Sequence, residues 1–232
     1  MCVTGRLVFT DVSVIKFLEK IMIYKIGDVF FPLLIHYLIA AFVLLFGANL
    51  MDDALLTSLT GLAAFPVMWY LYRRDCRNGA VETTAPRGAV PWWAYPVTVL
   101  LGIVSNQMIT WVMNYFRVTQ QFSNEVQEGL LRGDIWAQVL GLGILVPVME
   151  EVLFRGLIYN RLKKYVPLWT AVLGGAAIFA LYHGNMVQIL FAFPMGLLII
   201  LLYEKWNSLS IPIVFHIGAN LSTVLLNYLM AD

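Results

Sequence analysis

Seven long apolar stretches, separated by short polar segments, constrain this chain more than any other feature of its sequence. Each stretch is close to the roughly 20 residues that an α-helix needs to cross a bilayer. Hydrophobic residues fill 60% of the 232 positions and charged residues only 12%, a balance far from that of soluble domains. Because a backbone in lipid must satisfy its own hydrogen bonds, helices are the expected elements. The sequence therefore predicts an all-α fold, a polytopic transmembrane bundle of about seven to eight helices.

The polar segments divide the chain into an arm, a membrane domain and two longer connections. Residues 1–28 mix apolar residues with lysines, a pattern typical of an interfacial helix, so we expect an N-terminal arm there. Residues 29–232 are expected to form a single membrane domain, since no internal repeat is visible. Arginine, glycine and proline mark 73–91 as a linker, and its polar residues mark 117–133 as a surface loop or lid. The predicted spans are 30–48, 54–72, 92–116, 134–159, 168–183, 187–203 and 209–230.

Basic residues are distributed unevenly between the two sides that these spans define. Twelve of the fifteen lysines and arginines fall on the side of the N-terminus, and only Arg117 and Arg132 fall on the other. The positive-inside rule therefore predicts a cytoplasmic N-terminus, an external C-terminus and about seven crossings. We expect an integral multi-pass protein, located in the plasma membrane if the source is bacterial.

Composition also excludes several classes of function. A net charge of +1 without any basic run argues against nucleic acid as a partner. Two cysteines, Cys2 and Cys76, cannot form a disulfide framework or a four-ligand metal site. No short apolar stretch with a small-residue cleavage site opens the chain, so a removable signal peptide is not expected. The lipid bilayer is the one partner that composition predicts, and the oligomeric state is not indicated.

The fourth predicted span carries two carboxylates and a guanidinium, Glu150, Glu151 and Arg155, inside an apolar run. A charge at the bilayer centre costs about 2.5–3.5 kcal/mol on insertion scales, so it is usually retained for a function. Glu151 and Arg155 are four residues apart with the acid first, which favours an ion pair on one helix face. Glu150 points about 100° around the helix and must find partners on other helices. The alternative is that all three charges only fasten helices together.

Two of the three histidines fall inside late spans, each with a partner on its own helix face. Phe179 precedes His183 by four residues, and Asn220 follows His216 by four. Inward side chains on facing helices build the sites of helical bundles, so these residues can converge on the carboxylates. The third histidine, His36, lies in the first span, where we expect an interhelical hydrogen bond.

Glu150, His183, His216 and Asn220 together fit the activation of water for amide hydrolysis. A carboxylate among apolar helices is a stronger base than one in water. Histidine can relay the proton, and an amide can donate to a developing oxyanion. Two histidines and a glutamate could instead hold Zn²⁺ with an open water position. The chain lacks both the H-E-x-x-H pattern of zinc proteases and the G-x-S-x-G elbow of serine hydrolases.

Three motifs in this chain resemble those of a known family. They are E-E-V-L-F-R at 150–155, F-A-L-Y-H at 179–183 and H-I-G-A-N at 216–220. Together they resemble the signatures E-E-x-x-x-R, F-x-x-x-H and H-x-x-x-N of the CAAX-processing and bacteriocin-processing (CPBP, or Abi) family of membrane proteases. The resemblance covers about 92–230, where we therefore expect the protease core.

The resemblance implies an intramembrane endopeptidase, similar to the type II CAAX prenyl proteases, that cleaves a peptide or a prenylated or otherwise lipidated protein. By this resemblance Glu150 is the catalytic base for water, and His183, His216 and Asn220 complete the site. It gives supporting roles to the remaining motif residues, Glu151, Arg155 and Phe179.

The resemblance leaves the cofactor open, because members of the family have been described both as glutamate-dependent enzymes and as metalloproteases. We expect the form without a cofactor, and zinc held by Glu150, His183 and His216 is the alternative. Two further alternatives are a non-enzymatic immunity or scaffold protein and a transporter or proton relay that uses the same buried ionisable groups.

The predicted spans place the two site histidines at different depths. At a rise of about 1.5 Å per residue, His216 lies about 10 Å from the inner edge and His183 about 22 Å from it. A strong tilt, a break near Gly184 or a fifth helix that begins deeper than Leu168 would bring them together.

Overall fold

The computed structural model describes residues 12–79, 81 and 90–230, and these residues form helices and turns without a strand. Nine helices are present in this part of the chain. They are α1 (Val12–Gly47), α2 (Asp53–Arg77), α3 (Ala94–Tyr115), α4 (Val118–Gln121), α5 (Glu125–Leu130), α6 (Ala137–Leu162), α7 (Leu168–Tyr182), α8 (Met186–Trp206) and α9 (Ser210–Met230).

Six of these helices are long and apolar enough to cross a membrane, namely the Glu19–Gly47 part of α1 and the whole of α2, α3, α6, α8 and α9. The predicted all-α, polytopic bundle is therefore confirmed, and the chain is an integral multi-pass membrane protein. The fifth predicted span, α7, is the exception. Its 15 residues extend about 22 Å, less than the roughly 30 Å of a hydrocarbon core.

The predicted segments between the spans differ from the structure mainly at their edges. α1 runs without a break through position 28, so no change of helix marks the predicted end of the arm, and residues 1–11 lie outside the described residues. α2 continues to Arg77, past the predicted start of the linker, of which 80 and 82–89 are not described. The predicted loop 117–133 contains the short helices α4 and α5.

Local sequence signals account for several helix ends. Asp52 is the N-cap of α2, and its carboxylate accepts a hydrogen bond from the Leu55 amide at 2.8 Å. Asn185 begins α8 in the same way, accepting from the amides of Val187 and Gln188. Asn207 caps the C-terminus of α8, and its φ of 44° is a left-handed conformation that asparagine tolerates.

The central helix, α6, changes its hydrogen-bond register along its length. Ala137–Leu145 and Val152–Tyr159 are π-helical, with an α-helical turn, Val146–Glu151, between them. α6 is also the most buried of the candidate spans. The sequence predicted an ordinary helix here, and π-helical turns are a frequent feature of functional sites.

α3 and α9 pack with their backbones in close contact because glycines face each other across the interface. A Cβ at Gly102 would collide with the Phe215 carbonyl, and one at Gly218 would collide with the Val99 carbonyl. Asn106 on α3 reinforces the pair by donating to the Ala219 carbonyl of α9 at 3.0 Å. Small residues and interhelical hydrogen bonds are the usual means of helix association in membranes, and here they fix the helix that carries His216 and Asn220.

The bundle has two ends of opposite charge. We call the end formed by residues 19–28, 73–79, 161–167 and 203–209 the basic end. Arg161 holds it together by donating to the Asp75 carboxylate and to the Asp28 carbonyl, both at 2.7 Å.

The opposite end is formed by residues 48–53, 116–136, 183–186 and 227–230, and we call it the acidic end. The Asp134 amide donates to the Asp52 carboxylate at 3.3 Å, and Asn185 donates to the Ser123 carbonyl at 3.3 Å. Asn227 of α9 donates to the Leu131 carbonyl at 3.3 Å. These contacts join the helix ends to the segment that contains α4 and α5.

Candidate active site

The neighbouring acids of α6 have different surroundings. Glu150 lines a cavity of about 1160 Å³, whereas Glu151 is completely buried and lies outside that cavity's lining. Arg155, also buried, donates from Nη1 to Glu151 Oε1 at 2.9 Å. The ion pair predicted from the four-residue spacing is therefore present, and Glu150 is the acid that faces open space.

His216 lies between the two acids and contacts both. Its Nδ1 is 2.7 Å from Glu151 Oε1, and its Nε2 is 3.7 Å from Glu150 Oε2. With Nδ1–H donated to the Glu151 carboxylate, the neutral ring keeps its lone pair on Nε2, towards Glu150. The sequence analysis missed this contact because it treated Glu151 as satisfied by Arg155 alone. One oxygen of Glu151 in fact serves both partners.

Phe179 packs among the site residues and touches three of them. The Arg155 guanidinium carbon lies 4.3 Å from the centre of its ring, a cation–π contact. The rings of His183 and His216 meet it edge to face, with centroids at 5.0 and 5.8 Å. The Phe179 carbonyl is also 2.9 Å from His183 Nδ1 and can only accept, so the neutral His183 ring keeps its lone pair on Nε2.

Asn220 is held by a carbonyl that the π-helical part of α6 leaves free. Its Nδ2 donates to the Leu142 carbonyl at 3.0 Å. In the π-helical register, five residues on, the donor to that carbonyl would be residue 147, which is a proline and has no N–H. The amide of Val146 bonds to Gly141 instead. One N–H of Asn220 therefore fixes the side chain, and its second N–H remains available to a ligand.

All four residues predicted as catalytic line the same cavity, and so does Phe179. Its volume exceeds the roughly 300–1,000 Å³ typical of small-molecule pockets, so it has room for a short peptide segment. The cavity wall also includes three amide side chains of α3, those of Asn106, Gln107 and Asn114.

Tyr182 is a cavity residue that the sequence analysis did not identify. Its hydroxyl is 2.7 Å from His36 Nε2, which is the interhelical hydrogen bond expected for that histidine. Both residues line the cavity. Because Tyr182 is adjacent to His183, this bond ties the end of α7 to α1. No sequence signal distinguished Tyr182 from the interfacial tyrosines at other helix ends.

The two histidines, which the predicted spans place at different depths, meet near the end of α7. The helix stops at Tyr182, and Gly184 follows with a φ of 68°, a left-handed conformation that favours glycine. α7 begins at Leu168, so the fifth helix does not begin deeper than predicted. Both imidazoles contact the Phe179 ring, which shows that the two histidines lie close together.

A zinc site requires three or more protein ligands around one point. Within the described residues, no group of three or more His, Cys, Asp or Glu side chains is arranged to hold a metal ion. Glu150, His183 and His216 share a cavity without forming such a group, so this donor set does not fit zinc as it stands. We derive no step through a metal.

The comparisons with known proteins concern the same part of the chain. Residues 132–222 match the family model for type II CAAX prenyl endopeptidases, described as Rce1-like. The resemblance drawn from the three motifs is therefore confirmed, since all three lie within the matched residues.

A curated relative carries the name "Putative membrane peptidase YdiL" and comes from Bacillus subtilis (strain 168). It is 28% identical over 83 residues, which is 36% of this chain. The match spans only about a third of the relative's own length (34%). No solved structure matches the chain.

Proposed function

We propose that this protein is an intramembrane endopeptidase that hydrolyses a peptide bond of a membrane-associated or lipidated peptide or protein, with water activated by Glu150. One observation carries the proposal. Glu150 Oε2 and His216 Nε2 lie 3.7 Å apart on the wall of a large cavity that His183 and Asn220 also line. The match to Rce1-like endopeptidases supports the same reaction.

The first step is addition of water to the substrate carbonyl. Glu150 accepts a proton from a water molecule that lies between its carboxylate and the scissile carbonyl carbon. The water oxygen bonds to that carbon, and the carbonyl oxygen becomes an oxyanion. The second N–H of Asn220 is the donor that we assign to the oxyanion, because the first is held by Leu142.

The second step is loss of the amine. The proton on Glu150 passes to the leaving nitrogen, directly or through His216 Nε2, as the carbon–nitrogen bond breaks. The products are a free carboxylate and an amine. His183 presents Nε2 to the same cavity, where it can accept a hydrogen bond from the water or the substrate.

Glu151, Arg155 and Phe179 act in this scheme as positioning residues. Glu151 fixes the proton of His216 on Nδ1, as a carboxylate does for the histidine of other hydrolases. Arg155 pairs with Glu151 without reaching the cavity. Phe179 packs edge to face against both imidazoles and so helps to orient them.

The proposal predicts hydrolysis of a peptide by the purified protein with no added cofactor. A panel of lipidated and leader-bearing peptides is incubated in H₂¹⁸O, with and without a chelator, and the products are identified by mass spectrometry. We expect one new carboxylate per cleaved chain with an ¹⁸O atom from solvent, at equal yield in both arms. The exposed variant Glu128→Gln serves as a control and should match the wild type.

Two other outcomes would contradict the proposal. Loss of cleavage with the chelator, and recovery with Zn²⁺, would favour the metal-dependent alternative. Absence of cleavage across the panel, together with normal function in cells of the Glu150→Gln variant, would favour a non-enzymatic immunity or scaffold protein.

A further inference from the structure

The cavity that contains the candidate site lies in the part of the bundle nearer the acidic end. The parts of α1, α2 and α3 that line it are 36–44, 53–60 and 106–114. In each case this is the portion nearer the acidic end. The portions of these helices nearer the basic end contribute nothing to its wall.

The later helices follow the same rule. The lining residues of α6, α8 and α9 fall within 142–150, 187–199 and 216–230. α6 runs from the acidic end to the basic end, and its lining residues stop at Glu150. α9 runs in the opposite direction, and its lining residues begin at His216. The two residues of the candidate pair, together with Ile199 of α8, therefore mark the inner limit of the cavity.

Beyond this limit the bundle is tightly packed. Leu153, Leu157 and Ile158 of α6 follow Glu150 towards the basic end and are completely buried. A separate cavity of about 330 Å³ lies at the basic end, with Arg74 and Arg161 in its wall, and it shares no lining residue with the larger one. The larger cavity therefore extends from the acidic end to Glu150, and packed side chains close it towards the basic end.

The charges at the two ends orient this path in the membrane. Among the described residues, the segments 48–53 and 116–136 carry five acids, Asp52, Asp53, Glu125, Glu128 and Asp134, against two arginines. The basic end carries nine lysines and arginines, namely Lys20, Lys25, Arg73, Arg74, Arg77, Arg161, Lys163, Lys164 and Lys205. The positive-inside rule puts the basic end in the cytoplasm.

We propose that the site takes its substrate from the extracytoplasmic face, as an extended and non-acidic peptide segment. The reaction itself rests on the proposed function, whereas the access route rests on the cavity and the charges. The substrate is accordingly an exported or externally exposed peptide, and a C-terminus that remains in the cytoplasm does not reach Glu150.

The chemistry of the wall supports a peptide as the occupant. It presents side-chain amides that can bond to a peptide backbone, among them Asn106, Gln107, Asn114, Asn124, Gln127 and Gln188. Asp53 and Glu150 are its carboxylates, and no lysine or arginine lines it. An acidic side chain would therefore lose hydration without gaining a cationic partner, which favours uncharged or basic substrates.

Cysteine labelling in intact bacterial cells tests the access route without requiring any cleavage. Three single-cysteine variants are made in a background that carries Cys2→Ser and Cys76→Ser. Val126→Cys reports on the mouth of the cavity, Gln188→Cys on its wall in the first turn of α8, and Asn78→Cys on the exposed surface of the basic end. A membrane-impermeant maleimide is applied before and after permeabilisation.

We expect labelling of Val126→Cys and Gln188→Cys in intact cells, and of Asn78→Cys only after permeabilisation. The reverse pattern would overturn the proposal, because it would put the cavity on the cytoplasmic side. Failure of Gln188→Cys to label from either side would overturn it too. A protein that labels as expected but cleaves no peptide would contradict the proposed function and leave the access route standing.

Discussion

At the scale of single residues, the adjacent acids Glu150 and Glu151 have different surroundings and therefore different roles. Glu150 faces the cavity, and Glu151 bonds to Arg155 and His216 behind it. Adjacent positions on a helix point about 100° apart, which is enough to put one carboxylate at the wall of a cavity and the other in the core. Substitution should therefore affect the two positions in different ways.

We expect Glu151→Gln to destabilise the protein more than Glu150→Gln. Removing the Glu151 charge leaves Arg155 buried without its counter-ion, a change that costs up to about 3–5 kcal/mol. Glu150 forms no hydrogen bond of this kind with Arg155, so the isosteric amide should leave the unfolding free energy nearly unchanged. Denaturant unfolding in detergent measures both, and an equal loss would indicate that the two acids only fasten helices.

At the scale of the secondary-structure elements, α6 is the helix on which the site depends. Pro147 removes the donor that the Leu142 carbonyl would have in the π-helical register, and Asn220 of α9 supplies it instead. An irregularity in one helix is thus matched by a side chain of another. The hydrogen bond thus fixes Asn220 of α9 to α6, the helix that carries Glu150.

A double-mutant cycle tests the link between Pro147 and Asn220. Asn220→Ala alone should cost about 1–3 kcal/mol, because it leaves a buried carbonyl without a partner. In a Pro147→Ala background the new N–H can bond to Leu142, so the same substitution should cost less. The double variant should therefore lose about 0.5–3 kcal/mol less unfolding free energy than the sum of the two single losses, and strict additivity would contradict the assignment.

The close packing of α3 and α9 gives a prediction of the same scale. Gly218→Leu should separate these helices, since even a Cβ at this position collides with the Val99 carbonyl. Overpacking typically costs about 1–3 kcal/mol or more, and the shift of α9 should reduce cleavage by moving His216. Gly27→Leu on α1 is the matched control, because a Cβ there meets open space. Thermal unfolding and peptide cleavage should distinguish the two variants.

At the scale of the whole molecule, the helices and their order follow from the sequence because each span is apolar and bounded by charged or turn residues, and all but α7 are long. The pairing of Glu151 with Arg155 followed from helix periodicity. The contact of Glu151 with His216 could not be predicted in this way, because it depends on how α6 and α9 approach each other. The one-sided cavity likewise depends on which half of every helix packs tightly, and hydrophobic content does not encode this.

The π-helical turns of α6 were beyond sequence reasoning for a related reason. Pro147 is visible in the sequence of the fourth predicted span, but a proline there can equally produce a kink or a break. Its partner, Asn220, is 73 positions away along the chain, so the outcome was decided by tertiary structure. The roles of the individual site residues in catalysis stay predictions until they are measured.

The rate of peptide cleavage by Glu150→Gln, compared with the wild type at equal folded fraction, tests the central claim most directly. The amide keeps the shape of the side chain but cannot accept a proton from water, and general-base catalysis contributes about 10²–10⁴ in rate. We therefore predict a loss of at least about 100-fold, with an unchanged unfolding transition. Cleavage by the folded variant at the wild-type rate would contradict the account.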